Sequence, residues 1–307
     1  MKKKWSVIGT VLVLSLLLII SGCGGGKTPP SDNQNPPSSN GGTGSAVGEQ
    51  VGYEIIGIDP GAGIMEATRE ALQQYDLDQW KLVESSESAM MAAFKRAYNN
   101  QQPIIITGWT PHWMFSSFDL KYLDDPLQVY GGDEQIHTLV RKNLKDDHPA
   151  AYQVLNNFNW APSDMEDVMV MIEQGSPVED AAASWVVNNM DKVNQWTEGV
   201  EPVNGDKLNI SYVAWASEIA STNVVATVLE TIGYRVTLQQ LEAGGMFAGI
   251  ASGSSDALVA AWLPTTHEAF YERFQNDFED LGPNLDGTRI GLVVPAYMDI
   301  TSIEDLK

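Results

Sequence analysis

The chain has 307 residues, with 40 acidic against 18 basic side chains and a formal charge of −22. An excess of that sign argues against nucleic acid as a partner, because the phosphates would be repelled. It does not decide the fold or the charge of a small ligand. The single cysteine excludes an internal disulfide framework.

The chain begins with Lys2, Lys3 and Lys4, followed by an apolar run from Val11 to Ile20 broken only by Ser15. Residues 1–22 therefore read as an export signal, too short to span a bilayer comfortably. The small residues Ser21 and Gly22 lead into Cys23, an arrangement that resembles a bacterial lipobox. Lipidation of the Cys23 sulfur explains a lone thiol in an exported protein better than a free cysteine at a fraying terminus does. Two or more acyl chains, at about 0.8 kcal/mol per buried methylene, would anchor the protein firmly at the outer face of the cytoplasmic membrane. Loss of the signal leaves 15 basic against 40 acidic residues, a net charge of −25. Residues 24–50 are rich in Gly, Ser, Pro and Asn, so residues 23–50 are expected to be a lipidated cysteine on a flexible tether.

From residue 51 onward 257 residues remain, enough for one large domain or two lobes. Tyr53 to Ile58 predicts a strand, Gly61 and Gly63 a turn, and Glu66 to Tyr75 a helix. Lys81 to Val83 follows, then a helix from Ser88 to Tyr98 with Met90, Phe94 and Ala97 on one face, then the strand Ile104 to Ile106. The middle of the chain is helical, with two expected capping boxes, Ser163 to Glu166 and Ser176 to Glu179. The second half repeats the alternation. It has a strand from Leu208 to Ala214, a helix carrying Val225, Val228, Leu229 and Ile232, a stop at Gly233, and a strand from Arg235 to Leu238. Each half reads as α/β.

Catalytic chemistry is poorly represented. The four histidines, His112, His137, His148 and His267, form no metal-binding spacing, and neither a P-loop nor a GxSxG elbow occurs. The sequence therefore implies no enzyme, no metal and no cofactor. The loop from Asp59 to Met65 joins a strand to a helix and presents free backbone N–H groups, which suit an anion. Glu66 stands where a dinucleotide fold wants its third glycine, so a single carboxylate fits better than a pyrophosphate. On this motif alone, glycines required only by a tight turn are an equal reading.

Of the nine tryptophans, Trp80, Trp185 and Trp196 taken singly read as core. Trp109, Trp215 and Trp262 differ, because each follows an apolar strand, where open α/β sheets bind their ligands. Three indole faces suit a quaternary ammonium, which donates no hydrogen bonds and is held by ring quadrupoles. With a carboxylate site nearby, the implied ligand is a small betaine.

The stretches IIGIDPGAGIM, IIITGWTPHWMF, YVAWASEIASTNV, AAWLPTTH and IGLVVPAYMDITSIEDLK resemble the glycine betaine-binding lipoproteins of OpuA-type osmoprotectant ABC importers over residues 51–307. The resemblance implies a type II periplasmic-binding-protein fold with the ligand in the cleft between two lobes. Approximate limits are 51–136 with 296–307 for the first lobe and 137–295 for the second. It implies a cage of Trp109, Trp215 and Trp262, carboxylate binding by the amides of Gly63 and Ile64, and an auxiliary polar contact from His267. A surface histidine at a helix start is the alternative for His267. The partners implied are an ABC permease and ATPase. Ala216 departs from the acidic residue expected after Trp215, which puts cage support in question. A receptor for choline, carnitine or proline betaine is the neighbouring alternative, and an enzyme using the glycine loop a more distant one.

Overall fold

The computed structural model describes residues 43–307. The export signal, Cys23 and the tether up to residue 42 lie outside the described residues. The expected tether gives way earlier than residue 50, to helix α1 (Thr43–Val51), whose Val47 and Val51 pack on the core.

The first part of the chain forms β1 (Glu54–Ile56), α2 (Gly63–Gln74), β2 (Lys81–Val83), α3 (Glu87–Asn99), β3 (Ile106–Thr110), α4 (Trp113–Ser117) and β4 (Leu120–Tyr122). The chain then crosses into β5 (Glu134–Arg141), followed by α5 (Leu144–Asp147), α6 (Pro149–Asn157), α7 (Pro162–Glu173), α8 (Val178–Asn188) and α9 (Met190–Trp196). The second α/β run is β6 (Lys207–Tyr212), α10 (Ala216–Thr231), β7 (Arg235–Gln240), α11 (Ala243–Ser252), β8 (Ala257–Leu263) and α12 (Glu268–Phe274). The long strand β9 (Phe278–Pro295) and a final 3-10 turn (Ile303–Leu306) complete it.

The strand order is β2-β1-β3-β9-β5-β8-β6-β7, with β4 also paired to β9. In the first lobe β2, β1 and β3 are parallel and β9 runs antiparallel to β3. In the second, β7, β6 and β8 are parallel and β5 runs antiparallel to β8. Each lobe thus has three parallel strands followed by an antiparallel one delivered across the junction, the strand order of a type II binding-protein lobe. β9 is shared: residues 278–288 pair with β5 and residues 289–295 with β3 and β4. Parallel strands need covering on both faces, and the helices between them provide it.

Local chemistry explains most boundaries. α10 is buried on nearly every side and ends where Gly233 takes φ +103°, a conformation glycine adopts without strain. Both expected capping boxes are corrected. Pro162 takes the first helical position of α7, so the cap falls at Ala161, whose N–H donates to Asp164 Oδ2 at 2.8 Å. Pro177 caps α8 with no side-chain bond, so Ser176 plays no capping part. Trp185 stacks on Trp196 at 5.8 Å and meets Trp160 edge-on at 5.5 Å, within the same continuous core that takes in the three strand-end tryptophans.

Candidate functional site

Trp109 lies within β3, Trp262 within β8, and Trp215 caps α10 three residues beyond the end of β6. Two of the three are thus in the terminal residues of their strands, slightly earlier than the apolar runs alone suggested. All three reach one small cavity of about 20 Å³, walled also by Ile58, Ile64, Thr266 and Ile290. Trp109 belongs to the first lobe, Trp215 and Trp262 to the second. The rings of Trp109 and Trp215 stand 6.3 Å apart and tilted by 49°. None of the three is more than 5 % exposed.

Each indole N–H is committed to a polar partner, and two of these bonds cross the junction. Trp215 Nε1 donates to Asp59 Oδ2 at 3.1 Å. Trp109 Nε1 donates to Ser217 Oγ at 3.2 Å. Trp262 Nε1 donates to Glu218 Oε1 at 2.5 Å. A third cross-lobe bond joins the N–H of Ala216, at the start of α10, to Glu87 Oε2 at 2.8 Å. Glu87 is itself held by His112 Nε2 at 2.9 Å. A carboxylate thus does meet this position, from Glu87 of the opposite lobe on the backbone of Ala216, while the Trp215 indole itself is held by Asp59. A carboxylate at a helix N-terminus also suits the helix dipole.

α2 starts at Gly63 after Ala62, which offers no side-chain cap. The N–H groups of Met65 and Glu66 turn back onto the Ala62 carbonyl, whereas those of Gly63 and Ile64 find no acceptor among the described residues. Gly63 sits so close to the second lobe that a Cβ built there would lie 1.8 Å from the carbonyl oxygen of Thr266. Its backbone is helical, so proximity rather than conformation demands a glycine.

His267 is fully buried, which overturns the surface alternative. Its ring stacks on Trp215 at 6.0 Å and 9°. Nδ1 accepts the Trp262 N–H at 3.0 Å, so the ring proton resides on Nε2, a buried donor with no partner among the described residues. Burial lowers the His267 pKa to about 3, so the ring is neutral at ordinary pH.

Two buried carboxylates escaped the sequence reading. Glu134, on β5, accepts the N–H groups of Thr265 and Thr266 at 2.8 and 2.6 Å and the Thr266 hydroxyl at 2.7 Å, and so fixes the loop between Trp262 and His267. Burial raises its pKa. Glu218 also takes the Ser217 hydroxyl at 2.6 Å, and burial pushes its pKa up to about 7. The site offers aromatic faces on the cavity wall, with unpaired amide donors and a neutral imidazole N–H close by, and the one hydroxyl on the wall, that of Thr266, is spent on Glu134.

The substrate-binding domain of ABC-type glycine betaine transport systems matches residues 31–188 and 206–307. The glycine betaine/carnitine transport binding protein GbuC of Listeria monocytogenes serotype 1/2a (strain 10403S) is 49% identical over 304 residues, 98% of each chain. Lactococcal OpuAC, closed on glycine betaine, is 47% identical over 49% of this chain at a TM-score of 0.48. The glycine betaine/L-proline-binding protein ProX of Borrelia burgdorferi is 34% identical over 50%, at 0.47. The chain spans 59% of the length of each of those two solved chains.

Proposed function

The chain belongs to the family of substrate-binding domains of ABC-type glycine betaine transport systems, and from that premise we propose that it captures glycine betaine outside the cytoplasm and presents it to a membrane permease. The observation that carries this reading is the meeting of Trp109, Trp215 and Trp262, drawn from both lobes, around one apolar cavity beside the uncapped start of α2. The trimethylammonium fits between indole faces. The carboxylate fits the N–H groups of Gly63 and Ile64 and the Nε2–H of His267, three donors otherwise lacking acceptors. The moving bodies in this reading are residues 51–133 with 289–307 and residues 134–288, divided where β5 begins and where β9 changes sheet.

Closure then completes the site, so occupancy and the shape read by the permease are one event. Cys23 carries the lipid that keeps the protein at the outer face of the cytoplasmic membrane. No helix among the described residues is long and apolar enough to cross a membrane. Carnitine is the second ligand to test, since the Listeria relative's name includes it. The tightness of the cavity favours the shorter betaine. Titration of intrinsic fluorescence with glycine betaine, proline betaine, carnitine and choline tests the proposal. Glycine betaine is expected to saturate the signal and be recovered unchanged, and a flat titration of folded protein at millimolar ligand would overturn the reading.

A further inference from the structure

Glu218 is 1% exposed and stands in the first turn of α10. One oxygen accepts the indole N–H of Trp262, and the other accepts the hydroxyl of Ser217, which in turn accepts the indole N–H of Trp109. A single carboxylate therefore terminates the hydrogen-bond chains of two cage rings, one from each lobe. We propose that Glu218 positions the cage and also supplies the negative charge that makes it prefer a quaternary ammonium to a neutral group of the same shape.

Three physical effects act in that direction. A carboxylate accepting an indole N–H in the plane of the ring enriches the π-system that faces a cation. Its charge is buried, so its field at the cavity is screened far less than that of a surface carboxylate. The charge is also held at a cost in the unliganded closed form, because burial and the neighbouring Glu87 both oppose it. A cation between the rings relieves that cost. Among the other groups around the network, Glu87 is bound to His112 and the Ala216 N–H, His267 is neutral, and Asp59 holds the Trp215 indole N–H in the same manner but is only half-buried, so solvent screens its charge more than that of Glu218.

The proposal rests on the betaine reading. The experiment compares glycine betaine with 3,3-dimethylbutanoate, which has the same shape and carboxylate with carbon in place of the charged nitrogen. Wild type should favour glycine betaine by at least about tenfold. Glu218→Gln should weaken glycine betaine by about tenfold or more while 3,3-dimethylbutanoate stays within about threefold. Glu218→Asp keeps the charge and shifts it by one methylene. It should lower both affinities by similar factors and keep the discrimination, and it stands in if the glutamine variant does not fold. Equal losses of both ligands in Glu218→Gln, or discrimination lost in Glu218→Asp, would reduce Glu218 to a packing residue and overturn the proposal. A wild-type protein that binds neither compound would overturn the betaine reading itself, a result distinct from wild-type binding without discrimination.

Discussion

Gly63→Ala separates closure from folding. The added Cβ would lie 1.8 Å from the Thr266 carbonyl oxygen and 2.6 Å from its carbon, both backbone atoms that no rotamer change can move. Ordinary contact would need the lobes about 1.5 Å further apart. Three bonds of 2.8–3.2 Å cross the same junction, from Trp109 to Ser217, from Trp215 to Asp59 and from Ala216 to Glu87. A separation of that size takes all three out of hydrogen-bond range. At roughly 1 kcal/mol for a neutral bond and 1.5–3 for one to a carboxylate, the closed state loses on the order of 4 kcal/mol. Affinity should fall by about 10²–10³-fold at 1.4 kcal/mol per decade. In the parted lobes the substitution is harmless or mildly favourable, because alanine is the better helix former. Calorimetric titration should therefore show the loss of affinity, while the melting temperature without ligand stays within a few degrees. A variant that binds within threefold of wild type, or one that loses stability in proportion to affinity, would refute the reasoning.

Trp109→Ala, Trp215→Ala and Trp262→Ala should each weaken glycine betaine by about tenfold or more, since a desolvated cation–π contact contributes about 2 kcal/mol, and aromatic replacements should recover much of it. Trp185→Ala, in the core but away from the cavity wall, should cost roughly 3–5 kcal/mol of stability with unchanged affinity in the folded fraction. The pKa of His267 drops from 6.5 unfolded to about 3 folded, so the unfolded chain binds more protons in that window and stability declines as pH falls from 6.5 toward 3. Glu218 shifts from 4.5 to about 7, so its contribution runs oppositely, fully present below 4.5 and lost as pH rises through 7. Melting curves of Glu218→Gln across pH 4–8 should lack that second loss, and a profile parallel to wild type would contradict it. Cys23→Ala should leave binding intact and release the protein from the membrane fraction, whereas continued retention would show another anchor.

The three tryptophans were legible because each follows a run of β-branched or small apolar residues, and a strand-end position is a local property. The strand-to-helix loop before α2 was legible for the same reason, although the helix begins at Gly63, three residues before the expected Glu66. The support of the cage was not. Ala216 looked like a lost acidic contact, yet its N–H is met by a carboxylate 129 residues earlier and on the other lobe, that of Glu87. Asp59, Glu134 and Glu218 were three among 40 acidic residues, and only the folded chain distinguishes them, by the burial of Glu134 and Glu218 and the contact of Asp59 with the Trp215 indole. For Glu218 one signal was available: it sits among small and apolar residues, three positions after Trp215 and with no basic residue near in sequence. The capping boxes failed because proline moved each helix start, Pro162 by taking the first helical position of α7 and Pro177 by taking the cap position of α8.

The shared strand β9 also dictates an order of assembly. The lobe written first in the chain is finished last, because β3 and β4 find their common partner only when residues 289–295 arrive. Its closing turn follows later still, where the Trp80 indole N–H donates to the Leu306 carbonyl at 3.0 Å. Until then β3 presents an unpaired edge, and contacts that join the two extremes of a chain form slowly. In the proposed extracytoplasmic role, with the chain threaded unfolded through an export channel, a keystone in β9 delays compaction of the first lobe until residues 289–295 have followed it through.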